Sequence, residues 1–259
     1  MLFAALHLYQ EWKTAGAFGF PLVDAWIHCQ FARNIVRGSG MSYNPGVPMA
    51  GSTAPLWTFV LAGSYFIIPN FILTSKIISL ALYALSCLAV YKILVLVVDD
   101  NMFAFLGAMA CAMTSRLMWG ALSGMEIMLS VCLTLAGVYL HLIYRREGGL
   151  KQYLSTAVFA LASLARPESM QLIFIALADS FVLGRLEKNE KLAGFTRRAV
   201  VHVLVFFILL APYLAFNYHT SGQPFPNTFV AKRAGGVSEN DCGVSESLPS
   251  RASGGVVQA

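Results

Sequence analysis

Charge is scarce in this chain. Asp, Glu, Lys and Arg make up 12% of its 259 residues, while hydrophobic residues supply 57%. Soluble domains carry about 25% charged residues, roughly twice as much. The shortage excludes a soluble globular domain and a disordered chain. A nucleic-acid binder is excluded too, although 18 basic against 13 acidic residues leave a net charge of +5, because the positive charges sit in short clusters between apolar runs. Cysteine is also thin. Of five, Cys87, Cys111 and Cys132 lie inside apolar runs, and only Cys29 and Cys242 lie in polar segments, so no disulfide framework is expected. No C-x-x-C or Cys/His ligand spacing occurs. The sequence therefore names no metal site and requires no cofactor, with a divalent metal left open. Nor does the opening MLFAALHLYQ carry the cationic start and small-residue cleavage site of a signal peptide.

What abounds is apolar sequence in lengths suited to a bilayer, whose core takes about 20 helical residues. Residues 77–98, 102–122, 127–144 and 199–216 fill that length, with Lys92 and Arg116 placed to snorkel. Residues 153–184 run longer but are interrupted by Arg166-Pro167-Glu168, and residues 54–68 are too short to span. The latter predict an interfacial helix. The fold class expected is an all-α polytopic membrane protein, a bundle of about six to seven transmembrane helices.

Charge decides the topology. The most basic loops, 145–151 and 185–198, hold three and five Lys/Arg. Both face the cytoplasm only if 153–184 forms two short helices meeting at Arg166-Pro167-Glu168. Residues 12–53, 119–126 and 217–233 then share the extracytoplasmic side. The organisation expected is a short first membrane segment over 1–11 and an extracytoplasmic loop over 12–74 holding the interfacial helix 54–68. A transmembrane bundle over 75–216, a second outer loop over 217–233 and a disordered tail over 234–259 follow. Every unusual polar motif falls on one face.

The first of these motifs, VDAWIHCQFARNIVRGSGMSYNPG over 23–46, predicts a short helix with Asp24 and His28 on one face at i, i+4 and Arg33 beyond. Turns at 38–40, 44–46 and 51–53 follow. In order downstream come GSTAPLW at 51–57, LSGMEIML at 122–129, LARPESM at 164–170 and PFPNTFVAK at 224–232. Together these blocks resemble the C-type membrane glycosyltransferases, which use polyprenyl-phosphate sugars and include protein O-mannosyltransferases and aminoarabinose transferases. The likeness covers about residues 20–233. It implies a multi-pass protein of the bacterial inner (cytoplasmic) membrane whose partners are the lipid bilayer, a polyprenyl-phosphate-linked sugar and an acceptor glycan, lipid or protein. Members of that family are longer and often carry paired acidic residues where Val23-Asp24 has one. The short start and polar tail are thus read as those of an N-terminal fragment with little turnover of its own.

The chemistry implied is an inverting sugar transfer. Asp24 is the expected general base, taking the acceptor's proton. A departing phosphate needs cations or N–H donors, which the resemblance places at Arg33, Arg166 and Lys232. Glu126, Glu168 and Asn227 complete the expected substrate-binding set. Each has a plainer reading. Glu126 suits a helix N-terminus, Arg166 and Glu168 suit an ion pair across a bend, and Asn227 and Lys232 suit an ordinary loop exit. Asp179, deep in an apolar half-span, calls for a partner the sequence does not name. A transporter or flippase, or an inactive relative, are the alternatives.

Overall fold

A computed structural model describes residues 2–147, 149–186 and 191–224. The helices are α1 (Leu2–Ala15), α2 (Val23–Val36), α3 (Pro55–Tyr65), α4 (Phe71–Val98), α5 (Asn101–Ala112), α6 (Ser115–Leu122), α7 (Ile127–Tyr144), α8 (Gln152–Ala165), α9 (Gln171–Leu186) and α10 (Leu192–Ser221). A 3-10 turn, Pro167–Met170, joins α8 to α9. Among the described residues there is no strand, only an isolated bridge between Ser42 and Pro48. The chain is an all-α polytopic membrane protein.

Among the described residues four helical segments are long and apolar enough to cross a bilayer: 71–98, 127–144, 167–186 and 192–221. The run 102–122, expected as one straight span, is divided into α5 and α6, bent by 55°; counted together they make a fifth. The bend follows from Thr114, whose backbone is extended (ψ 109°) and whose hydroxyl donates back to the Ala110 carbonyl. That back-bond competes with the helix. The difference from six to seven spans lies in α1 and α8, 14 residues each. At about 21 Å they fall short of a hydrocarbon core of about 30 Å. Two adjacent carboxylates separate α4 from α5: Asp99 ends α4 in a left-handed conformation, and Asp100 caps α5 by accepting from Met102 N and Phe103 N.

Outward-facing Leu85, Leu88, Phe207 and Ile208 are exposed along the spans, which only lipid tolerates over such an area. Inside, small residues let helices close up, as membrane packing favours. Ser75, Ser79 and Ser86 line one face of α4, and α8 buries Ser155, Thr156, Ala160, Ala162, Ser163 and Ala165. At Gly137 of α7 an added Cβ would lie 2.5 Å from the Phe159 ring of α8. Contacts run α4 to α7, α7 to α8, and α8 to α10.

Asp179 has its partners. His141 Nε2 lies 2.8 Å away, and Arg145 donates to both carboxylate oxygens at 2.8 and 3.0 Å. At the other end of the bundle α2 lies on α3, and α3 on α4 and α8. Trp57 and Leu61 of α3, Cys29 and Ala32 of α2, Phe71, Leu129 and Ala165 form the cluster that fixes this cap.

Candidate functional site

The site begins with two breaks in helix. The first is the turn 123–126, which leads into α7. Gly124 adopts φ +78° and an added Cβ would sit 2.3 Å from the Phe20 ring, so no other residue fits there without displacing that ring. Trp57 Nε1 donates to the Gly124 carbonyl at 3.1 Å, and Ser123 Oγ donates to the Gly120 carbonyl at 2.9 Å. The turn is thereby pinned from α3, from Phe20 and from within. It delivers Glu126, the N-cap residue of α7, into the protein with 4% exposure.

Proline makes the second break. Pro167 drives the residue before it out of the helical region, and Arg166 is extended at φ −148°, ψ 127°. That conformation ends α8 and brings Arg166 Nε to 3.4 Å from Glu126 Oε1. Glu168, mostly exposed, lies 3.7 Å from the same nitrogen. A hydrogen bond shared by Ser130 and Ser169 at 3.3 Å fastens the 3-10 turn to α7.

The third contributor is α2. His28, 4% exposed, places Nε2 3.3 Å from Glu126 Oε2. Burial pushes the Glu126 carboxyl up, but His28 beside it, with Arg166 beyond, outweighs that and holds the group below its ordinary value. Glu126 is therefore a carboxylate that organises two cation-capable groups. Arg166 remains 40% exposed on its side chain, and its terminal nitrogens are left for an anion.

Asp24 stands one turn before His28 on the same side of α2, exposed and without hydrogen bond or ion pair among the described residues. Its place in the first turn suits a carboxylate. Arg33 is nine residues on from Asp24, a rotation of about 180°. It faces a separate cavity of about 230 Å³ with Trp26, Cys29, Tyr65 and Asn70, and donates to Gln30 Oε1 at 3.3 Å. The structure thus brings together Glu126, Arg166 and Glu168 with His28, leaves Asp24 one turn before His28 on α2, and sets Arg33 apart. Asn227 and Lys232 lie outside the described residues.

Sequence reasoning missed two participants. His28 was read only as a companion of Asp24, yet it joins α2 to Glu126. Glu11 was passed over as part of a short first segment. It accepts from Lys76 Nζ at 2.6 and 2.8 Å and from Gly19 N at 2.8 Å, and Lys76 Nζ lies 5.8 Å from the centre of the Phe18 ring. The signal was there: Lys76 is a cation at the edge of an apolar run, a position that asks for a partner. Beside this pair, His7, Gln10, Glu11, Phe20, Trp119 and Leu122 help line a mainly apolar cavity of about 390 Å³.

The rest of the outer loop is held by its own bonds. Asn34 Nδ2 donates to the Ser42 and Tyr43 carbonyls at 2.9 and 2.8 Å, and Tyr213 OH of α10 donates to the Ser52 carbonyl at 2.8 Å. Among the described residues no group of three or more His, Cys, Asp and Glu converges as metal ligands would. Family models, curated proteins and solved structures offer no match to this chain.

Proposed function

We propose that this protein is a glycosyltransferase that moves a sugar from a polyprenyl-phosphate donor to an acceptor at the extracytoplasmic membrane face. One observation carries the reading: α2, the turn 123–126 and the break at 166–168, far apart in sequence, meet at one end of the bundle through His28, Glu126 and Arg166. The exposed carboxylate of Asp24 stands on the same helix one turn before His28, and the Arg166 guanidinium stays part-exposed.

The chemistry runs as follows. Asp24 takes the proton from an acceptor hydroxyl as its oxygen attacks the anomeric carbon. The bond from that carbon to the phosphate oxygen breaks, and the electron pair leaves with the phosphate. Arg166 stabilises the departing charge. Glu126 and His28 are positioning residues, since a carboxylate this enclosed reaches a substrate only through the groups it holds. Arg33, on the other side of α2, and Asn227 and Lys232 are later contacts for donor or acceptor. α3, 11 residues and about 16 Å long, lies at the interface with Phe59, Phe66 and Ile67 outward.

The test is transfer from a labelled polyprenyl-phosphate sugar by the full chain reconstituted with lipid, glycan and peptide acceptors. Transfer is expected, with a fall of roughly 10²–10⁴ in Asp24→Asn. A folded Asp24→Asn protein keeping more than about a third of the rate removes Asp24 from the mechanism. Movement of the donor between leaflets without transfer makes the protein a transporter, and no effect on the donor at all makes it an inactive relative.

A further inference from the structure

The end of the bundle away from Glu126 is also built from α7, α8, α9 and α10. Three contacts gather their ends. Arg145 at the close of α7 meets Asp179 of α9 at 2.8 Å. The rings of Phe181 and Phe195 pack at 5.0 Å, joining α9 to the start of α10. Thr156 Oγ1 and His202 Nδ1 lie 2.6 Å apart, joining α8 to α10.

On this end Lys151, Lys191 and Arg197 are exposed, and Lys151 Nζ lies 5.7 Å from the Tyr144 ring. The acidic groups among the described residues there are Glu147, exposed, Asp99 and Asp100 where α4 ends, also exposed, with Asp100 capping α5, and Asp179, taken up by His141 and Arg145. Leucines project beside the cations: Leu150 at 87% exposure, Leu186 at 81% and Leu192 at 60%. Leu150 and Leu192 directly adjoin Lys151 and Lys191.

Exposed leucines alone say little. Leucines that alternate with cations at the rim of a membrane bundle fit one environment, the boundary where acyl chains meet headgroups. The apolar belt of the spans continues into these leucines, and the excess positive charge selects the headgroup. We propose that this end is a docking surface for anionic phospholipids, with Lys151, Lys191 and Arg197 on headgroup phosphates and Leu150, Leu186 and Leu192 among the upper acyl carbons. Leucine tips that continue the apolar belt of the spans suit acyl chains, and a nucleic acid would have no use for them. The inference needs no turnover and stands apart from the transfer reaction.

The full chain reconstituted in nanodiscs of mixed phosphatidylglycerol and phosphatidylcholine, then released into mild detergent, tests this by native mass spectrometry of retained lipid. Wild type should keep phosphatidylglycerol in preference by at least about tenfold, since each surface cation is worth roughly fivefold. K151Q/K191Q/R197Q should lose most of that preference, and Arg37→Gln in the outer loop should lose none. L150S/L186S/L192S should keep the preference and retain fewer lipids of both kinds. If the triple cation variant is not monodisperse, its three single variants are read instead, each falling severalfold. Equal retention of the two lipids by wild type overturns the proposal. So does an unchanged preference in the cation variants, or displacement of phosphatidylglycerol by a short oligonucleotide or an acidic peptide.

Discussion

At one end of the α7–α10 bundle Glu126, His28 and Arg166 are drawn inward and paired; at the other Lys151, Lys191 and Arg197 stand outward beside exposed leucines. The same helices supply both ends, so the difference comes from what covers them. α2, α3 and the loop 37–54 lie over the first end, and a charge buried there must be neutralised by a partner. Short turns close the second, and Lys151, Lys191 and Arg197 stay exposed there, within reach of headgroups. A buried network fixes geometry, as a site requires. A row of exposed cations fixes only which surface lies against it.

Two glycines break this comparison most sharply. Gly124 and Gly149 both sit in turns at positive φ, +78° and +80°, one at each end. Gly149→Ala meets nothing within 4 Å and should cost only the left-handed backbone penalty, about 1 kcal/mol. Gly124→Ala carries the same penalty and must also displace the Phe20 ring, for about 4 kcal/mol in all. Thermal unfolding of both variants in detergent checks the ordering. Equal midpoints would mean that the turn 123–126 is not held as tightly as its contacts imply.

The carboxylates make the next pair. Glu126→Gln leaves His28 and Arg166 without their shared anion in a buried site, a loss of about 3 kcal/mol, at the low end for a broken buried pair because Arg166 stays part-exposed. Donor binding should weaken with it, since Arg166 loses its anchor. Asp179→Asn removes an anion that is 36% exposed and should cost about 1 kcal/mol. A double variant tests independence: the losses should add, because the two carboxylates share no partner.

How far the sequence foretold this arrangement depends on the distance over which each feature acts. The break at Arg166-Pro167 was legible because proline restricts its immediate neighbour. The helix bearing Asp24 and His28 was legible from spacing alone. The opposite placement of Arg33 was available from the same arithmetic, nine steps of about 100°, although the resemblance set it beside Arg166. Glu126 with His28, Glu11 with Lys76 and Asp179 with Arg145 were not legible. Those partners are 98, 65 and 34 residues apart, and only packing brings them together. The bend at Thr114 was hidden for another reason: threonine within an apolar run reads as span until its hydroxyl turns back on the helix.

The smallest expected effect separates charge from shape at Glu126. His28 and Arg166 hold its carboxyl below the ordinary value of 4.5 despite burial. A depressed value in the folded state means the unfolded chain takes up the proton first, so stability rises with pH through that range. The stabilisation is present in full above about pH 4.5 and is lost only as pH falls through the lower folded value. Protonation leaves a neutral carboxyl that still fits the space, so the loss should be smaller than that of Glu126→Gln at neutral pH, where the amide also misplaces a donor. The gap between the unfolding midpoints of wild type and Glu126→Gln should narrow as pH falls below about 4.5. A gap that closes between about pH 7 and 5 would mean that burial prevails over His28 and Arg166 and raises the carboxyl instead. A gap unchanged down to about pH 3 would mean that Glu126 serves by its shape and hydrogen bonds, with its charge contributing nothing to the hold on Arg166.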